Sequence, residues 1–376
     1  MPVRLRTADT HPDHDTLCTF RRENQALLTA SFVQVRPLAQ QLKVLKFGQL
    51  TGAAAGTKVA AAASKHSAVS YQGAGEMIEQ LELEVKQLLA KAAQAAATPL
   101  QDGLTIPEEI TRRQERKAAL AQARVELEAR AHARYAVQLA AHEAKLATRA
   151  AKAERGEKVG GPPPPAPPPE PQAKDPSNFT APESRIMKAG GGQHCEQSDN
   201  AQAVVEVARR LLVGPCVSQA PNDKQALGPT LAAIPAAAGP VAVARGDRGF
   251  FSEAAVRPIE RRETGAPVYA AVEKTGHHRR VADLEVKPEP VPPAAAASGT
   301  EGMRPRLKTT VGKALYKLRP QTVEPVLGII KRVLGCRQFR LRGRAKVALA
   351  WTLVCLAYNL KRRPRLGAGF QLAARG

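Results

Sequence analysis

Large aromatic side chains are scarce: Phe, Tyr and Trp make up 4% of the 376 residues, with a single Trp, whereas prolines number 30. So few core-filling groups exclude dense packing along the whole length and imply one modest globular core joined to non-globular material. Acidic residues are also short, 34 against 56 Lys and Arg, leaving a formal net charge of +22 and a pI near 10.2. That balance favours a polyanionic partner and association that weakens steeply in salt. Cys18, Cys195, Cys216, Cys336 and Cys355 are odd in number and far apart, with no Cys-x2-Cys pair. They suggest neither a disulfide framework nor a zinc site, and a reducing compartment. The longest apolar run, 345–358, contains Lys346, and it falls short of the roughly 20 residues a membrane span needs. No signal peptide follows Met1, so the chain reads as soluble. Gly-x-Ser-x-Gly, a phosphate-cradling Gly loop and a Cys/His pair are all missing, which leaves nucleophilic catalysis without a motif.

What is present divides by composition. Residues 1–46 read as helices, with Thr10 or Asp13 as a cap and an apolar stripe of Leu27, Leu28, Phe32, Val35, Leu38 and Leu42 that Pro37 interrupts. Residues 47–72 contain a strand-like stretch, 47–63, of poor intrinsic strand propensity. Residues 73–158 carry two amphipathic helices, one marked by Met77, Leu81, Val85 and Leu88, the other by Leu120, Leu127, Ala131, Tyr135 and Leu139. Thr105-x-x-Glu108 reads as a capping box opening the second. The pair predicts an antiparallel hairpin, either an arm for dimerisation or DNA contact or a self-packed spacer. Residues 159–178 are a Pro-rich linker, extended or disordered. From 179 to 284 the pattern is α/β: 190–192 suits a hairpin turn, 201–207 a strand, Asn222-Asp223 a helix cap, and 241–244 a buried strand that delivers Asp247. Residues 285–302 form a second flexible linker, and 303–376 carry C-terminal helices, with Gly335 as a helix stop and Trp351 on the last amphipathic helix.

Residues 316–331 concentrate the chemistry. At about 100° per residue, taking Tyr316 as zero, Arg319 lies near −60°, Lys331 near +60° and Glu324 near +80°. One carboxylate therefore stands among cations on one side of a helix, which Pro320 and Pro325 should kink or restart. Such an acid can hold a divalent cation while its neighbours take phosphates. The same spacing also describes an ordinary solvated face. Asp247 alone is an Asp-x-Gly turn. His11, Asp13, His14 and Asp15 read as a surface cap, and 277–280 as a basic loop.

Tyr316-x2-Arg319 before Glu324-x6-Lys331 resembles the signature of DDE transposases of bacterial insertion sequences. Gly246-Asp247-Arg248-Gly249-Phe250-Phe251-Ser252-Glu253 is similar to that family's second-Asp motif. Ala181-Pro182-Glu183-Ser184-Arg185 is similar to a block that usually opens with Asp, and 11–24 to the end of the family's helical N-terminal domain. The first catalytic Asp of the family stands in Asp-Gly-Thr-Lys, and the corresponding residues here are Ala55-Gly56-Thr57-Lys58.

The resemblance implies an α/β, RNase H-like mixed sheet with flanking helices, interrupted by the helical hairpin and Pro-rich linkers. Before it stands an α-helical remnant of a DNA-binding domain, truncated at its start. It implies Asp247 and Glu324 as catalytic, metal-binding acids for Mg²⁺ or Mn²⁺, weakly held without the first Asp. Lys58, Tyr316, Arg319 and Lys331 would contact DNA. The partners implied are transposon ends and target DNA, with no membrane, a homodimer as the candidate assembly and the bacterial cytoplasm as the location. The activity would be metal-dependent strand cleavage and transfer, impaired by Ala55. Two other readings stay open: a catalytically inactive DNA-binding competitor, and a largely disordered polycation with a helical hairpin.

Overall fold

The computed structural model describes residues 13–41, 50–94, 105–189, 193–261, 265–273, 288–290 and 299–362. Thr10, Leu42, the turn at 190–192 and the basic loop at 277–280 lie outside them. In chain order come α1 (His14–Glu23), α2 (Gln25–Gln41), β1 (Leu50–Ala60), β2 (Ala68–Ser70), α3 (Tyr71–Gln94) and α4 (Ile106–Glu154). Next are β3 (Pro176–Asn178), β4 (Arg185–Ala189), β5 (His194–Glu206), β6 (Cys216–Ser218), α5 (Leu227–Ala232), β7 (Val241–Gly246) and α6 (Glu253–Glu260). β8 (Val268–Ala270), α7 (Gly299–Lys308), α8 (Thr310–Arg332) and α9 (Arg344–Arg362) complete the series. Two compact units result, one combining Met1–Ala60 with Ser198–Gly376, the other Ala61–Gln197.

β1 is the spine of the first unit. Its run of Ala and Gly lacks strand propensity, but burial on both faces overrides this. Ala53 and Ala55 belong to one apolar cluster and Ala54 to another, and all three are fully buried. β5 pairs antiparallel on one side, with Ala55 opposite Ala203, and β7 pairs in parallel on the other, with Ala53 beside Arg245. β8 continues parallel to β7, and β6 pairs antiparallel with β5. The chain is thus α/β with a mixed sheet.

Two helical layers cover this sheet. Val323, Val326 and Ile330 of α8 and Val347, Trp351, Cys355 and Tyr358 of α9 pack with Ala53, Ala55 and Phe32. The indole N–H of Trp351 donates to the Gln202 carbonyl at 2.7 Å, fixing α9 on β5. Leu227, Phe250, Val256, Ile259 and Met303 form the second cluster around Ala54, Ala244 and Val268. Phe32 of the α2 stripe is buried, while Leu27 points outward. Asp13 caps α1 as expected, accepting from the Thr16 N–H at 2.7 Å.

The helix does not restart at Pro320 or Pro325, since α8 runs unbroken through both. Its buried face, Thr322, Val323, Val326 and Ile330, holds the helix on the sheet. Pro325 lies on the exposed side, where the carbonyl it strands can turn to water.

In the second unit α3 and α4 form the expected antiparallel hairpin. Tyr71 meets Glu128 and Arg124, whereas Glu84 meets Arg113 and Glu82 meets Lys117, so one helix rises as the other falls. Leu81, Leu120, Leu127 and Ala131 are buried. Glu108 accepts from the Thr105 N–H at 2.9 Å, the capping box read from sequence. The Pro-rich stretch returns along α4: His142 meets the Pro164 carbonyl, Arg149 the Gly160 and Gly161 carbonyls, and Arg134 the Asp175 carboxylate. β2 then zips to β3, with Ala68 opposite Asn178.

Candidate functional site

β7 ends at Gly246 and releases the chain into a tight 3-10 turn at 248–250. Asp247 caps that turn, its Oδ1 accepting from the Phe250 N–H at 3.3 Å. Opposite it runs α8, begun by Thr309, whose hydroxyl accepts from the Gly312 N–H at 2.9 Å. Arg245, fully buried on β7, donates through Nε to the Leu315 carbonyl at 2.7 Å and ties strand to helix. Burial lowers its guanidinium pKa.

Arg319 joins the two acids. Its Nη2 donates to Asp247 Oδ2 at 3.0 Å, and its Nη1 lies 3.8 Å from Glu324 Oε1. Tyr316, one turn earlier, is half-buried, and burial pushes its phenol up against the opposing pull of Arg319. Arg319 of α8 therefore meets Asp247, a residue remote in the chain. Lys331 stands apart from that group, its Nζ donating to the Lys58 carbonyl at 2.7 Å and pinning the end of α8 to β1. The Lys58 side chain is turned inward, with Nζ 3.8 Å from Asp223 Oδ1. Burial pushes its ammonium down, partly offset by Asp223 and then Asp247.

Sequence reasoning missed the role of Asp223. It was expected to cap a helix, but the N-cap of α5 is Ala226. Asp223 instead reaches the sheet, where Oδ1 accepts from Asn200 Nδ2 and Gln202 Nε2, both at 2.6 Å. The two amides pull it off the helix because they are buried on β5 and need a partner. Their spacing of two on β5 puts them on one face, which is the signal that could have found the cluster. Gly56 makes room, since a Cβ there would stand 2.7 Å from Gln202 Nε2 and 3.0 Å from Asp223 Oδ1.

Ala55 lies two residues beyond Ala53 on β1, as Asp247 lies two beyond Arg245, the parallel neighbour of Ala53. Counted on in that register, Ala55 stands level with Asp247, and its side chain belongs to the apolar cluster under α8 and α9. A two-ion site needs carboxylates converging on ions about 3.5–4 Å apart. Here Asp247 and Glu324 converge on a guanidinium, and among the described residues no three His, Cys, Asp or Glu side chains gather to hold a metal. As arranged, Asp247 and Glu324 do not fit that ion pair.

The family described as "Transposase DDE domain" matches residues 284–363. No curated protein and no solved structure matches the chain. Among the described residues no helix is long and apolar enough to cross a membrane. The matched stretch contains Tyr316, Arg319, Glu324 and Lys331, whereas Ala55, Asp223 and Asp247 lie outside it. Residues 284–363, which hold α8 and α9, are thus similar to a transposase DDE domain.

Proposed function

We propose that this protein is an insertion-sequence transposase with an RNase H-like core, directed to DNA but impaired in strand cleavage and transfer at the position Ala55 occupies. The observation that carries this reading is the convergence of Asp247, at the end of β7, with Glu324 of α8 around Arg319. A central strand flanked by one antiparallel and one parallel neighbour accords with an RNase H-like sheet. The buried Arg319 Nε has no acceptor, as expected where a third carboxylate has been lost. In relatives with the full acid set, Mg²⁺ or Mn²⁺ supplies the charge that stabilises attacking and leaving oxygens. Here Arg319 provides positive charge to Asp247 and Glu324 without activating water.

The net charge of +22 supplies non-specific attraction to the DNA backbone. Tyr316, Arg319, Lys331 and Lys58 are the proposed local contacts to transposon-end and target phosphates, which would draw the cations from their present partners. A second reading, a catalytically silent DNA-binding relative that competes with an active one, is favoured by the same Arg319 clamp. The test is nicking of a transposon-end duplex with Mg²⁺ or Mn²⁺ by the parent chain, Ala55→Asp, and Ala55→Asp combined with Glu324→Gln. Background nicking by the parent, a gain in Ala55→Asp and its loss in the double variant are expected. Strong nicking by the parent that survives Glu324→Gln sinks the proposal, and silence of a folded Ala55→Asp that still binds DNA favours the competitor.

A further inference from the structure

We propose that the groove between the C-terminal turns of α8 and α9 is a docking site for an acidic peptide segment of a partner protein, anchored by one large apolar side chain. A cavity of about 180 Å³ lies there, lined by Ile329, Val333, Leu334, Tyr358, Lys361 and Arg362. Small-molecule and cofactor sites run to roughly 300–1,000 Å³, so this one suits a single anchor group. Its floor is apolar, since Ile329 and Leu334 pack on the cluster beneath α8 and α9 and Tyr358 is buried in it. Val333, on the lip, is 67% exposed. A lone surface Val means little, but one beside an apolar hollow gives cover to a side chain that enters it.

Charge decides what kind of segment brings that side chain. Residues 325–376 contain no Asp or Glu, and Arg332 and Lys361 make no ion pair among the described residues. Arg362 donates through Nε to the Arg209 carbonyl at 3.2 Å. Glu206, just before that turn, has its oxygens engaged by the N–H groups of Ala208 and Arg209. The sequence beyond Arg362 adds Arg363, Arg365 and Arg375 and no acid, so its charge matches that of the rim instead of complementing it. Duplex DNA complements the charge but brings no apolar group for the hollow. An acidic segment with a Leu or Phe anchor complements both, its carboxylates steering the encounter and its anchor holding the complex.

The groove begins about 15 Å along α8 from Arg319, so it does not depend on strand cleavage at Asp247 and Glu324. The probe is a fluorescein-labelled heptapeptide of Glu and Asp around one central Leu, titrated into the full chain beside the same peptide with a central Ser. The Leu form should bind at least about tenfold tighter, the worth of one buried Leu side chain. Val333→Ser should abolish that preference, whereas Lys361→Gln should weaken both peptides and keep it. Val333 and Lys361 are exposed, so neither substitution threatens the fold. Equal binding of the two peptides by the parent, or a Leu preference that survives Val333→Ser, overturns the inference. So does duplex DNA binding that falls with Val333→Ser as far as peptide binding does, which would make the groove a nucleic-acid surface. A peptide carrying benzoylphenylalanine at its centre, irradiated with the unaltered chain, should cross-link within 329–334 or 358–362, and cross-links found only elsewhere also overturn it.

Discussion

Replacing Ala55 by Asp restores a carboxylate beside Asp247, and its energetic cost depends on Arg319. Ala55 is fully buried against Val323 and Val326, so added volume alone costs about 1–3 kcal/mol. A buried charge left without a partner adds roughly 3–5 kcal/mol. Arg319 lies one turn before Val323 on the same face of α8, already touches Asp247, and has its Nε buried without an acceptor. A charge-assisted hydrogen bond from that Nε should return about 1.5–3 kcal/mol. Ala55→Asp is therefore expected to destabilise by about 2.5–5 kcal/mol when Arg319 is present, and by about 4–8 kcal/mol in an Arg319→Met background. Arg319→Met alone should cost only about 1 kcal/mol, because Asp247 is 38% exposed and water can solvate it. Urea unfolding followed by the fluorescence of Trp351, the only Trp and part of the same cluster as Ala55, reads all four proteins. Additivity of the two substitutions within about 0.5 kcal/mol would refute the placement of Ala55 beside Arg319.

Two further outcomes are expected. Gly312→Ala would put a Cβ 1.9 Å from the Arg306 carbonyl oxygen and 2.9 Å from its carbon, both backbone atoms, so the start of α8 must move. Overpacking and a weakened Thr309 cap together should lower stability by about 2–4 kcal/mol, and a loss below about 0.5 kcal/mol in urea unfolding would disprove the close approach. Lys58 bears on pH: burial holds its folded pKa below 10.5, so the unfolded chain binds that proton more tightly, and stability rises with pH from the folded value up to 10.5. Measured from about pH 8 to 10, the unfolding midpoint of the parent should gain on that of Lys58→Met, and parallel curves would contradict the burial of Lys58.

Local rules carried the sequence reading where local physics dominates. The hairpin was legible because Leu81, Leu120 and Leu127 repeat at helical spacing, and Thr105 and Glu108 meet within one turn. β7 was legible as a short apolar run whose end delivers Asp247. Asp223 was not, because its partners Asn200 and Gln202 lie on β5 and only the folded sheet brings them near. Pro320 and Pro325 misled for a related reason: the rule that proline breaks a helix is local, while the burial of Val323, Val326 and Ile330 is not. The meeting of Arg319 with Asp247 likewise depends on the tie from Arg245 to Leu315, between residues whose sequence positions give no hint of it.

The β2–β3 zipper also bears on how this chain could have been assembled. Entry to the helical hairpin at Ala68 and exit from it at Asn178 lie opposite one another in a two-stranded ladder. Proline carbonyls accept hydrogen bonds and, lacking N–H groups, ask for none in return, so the returning segment can be laid along α4 at any length that reaches back. The hairpin is in effect a cassette on a closed stem. Helical turns gained or lost beyond that stem leave the distance between its two ends unchanged, so that part of the protein can vary in length at little cost to the fold that carries it.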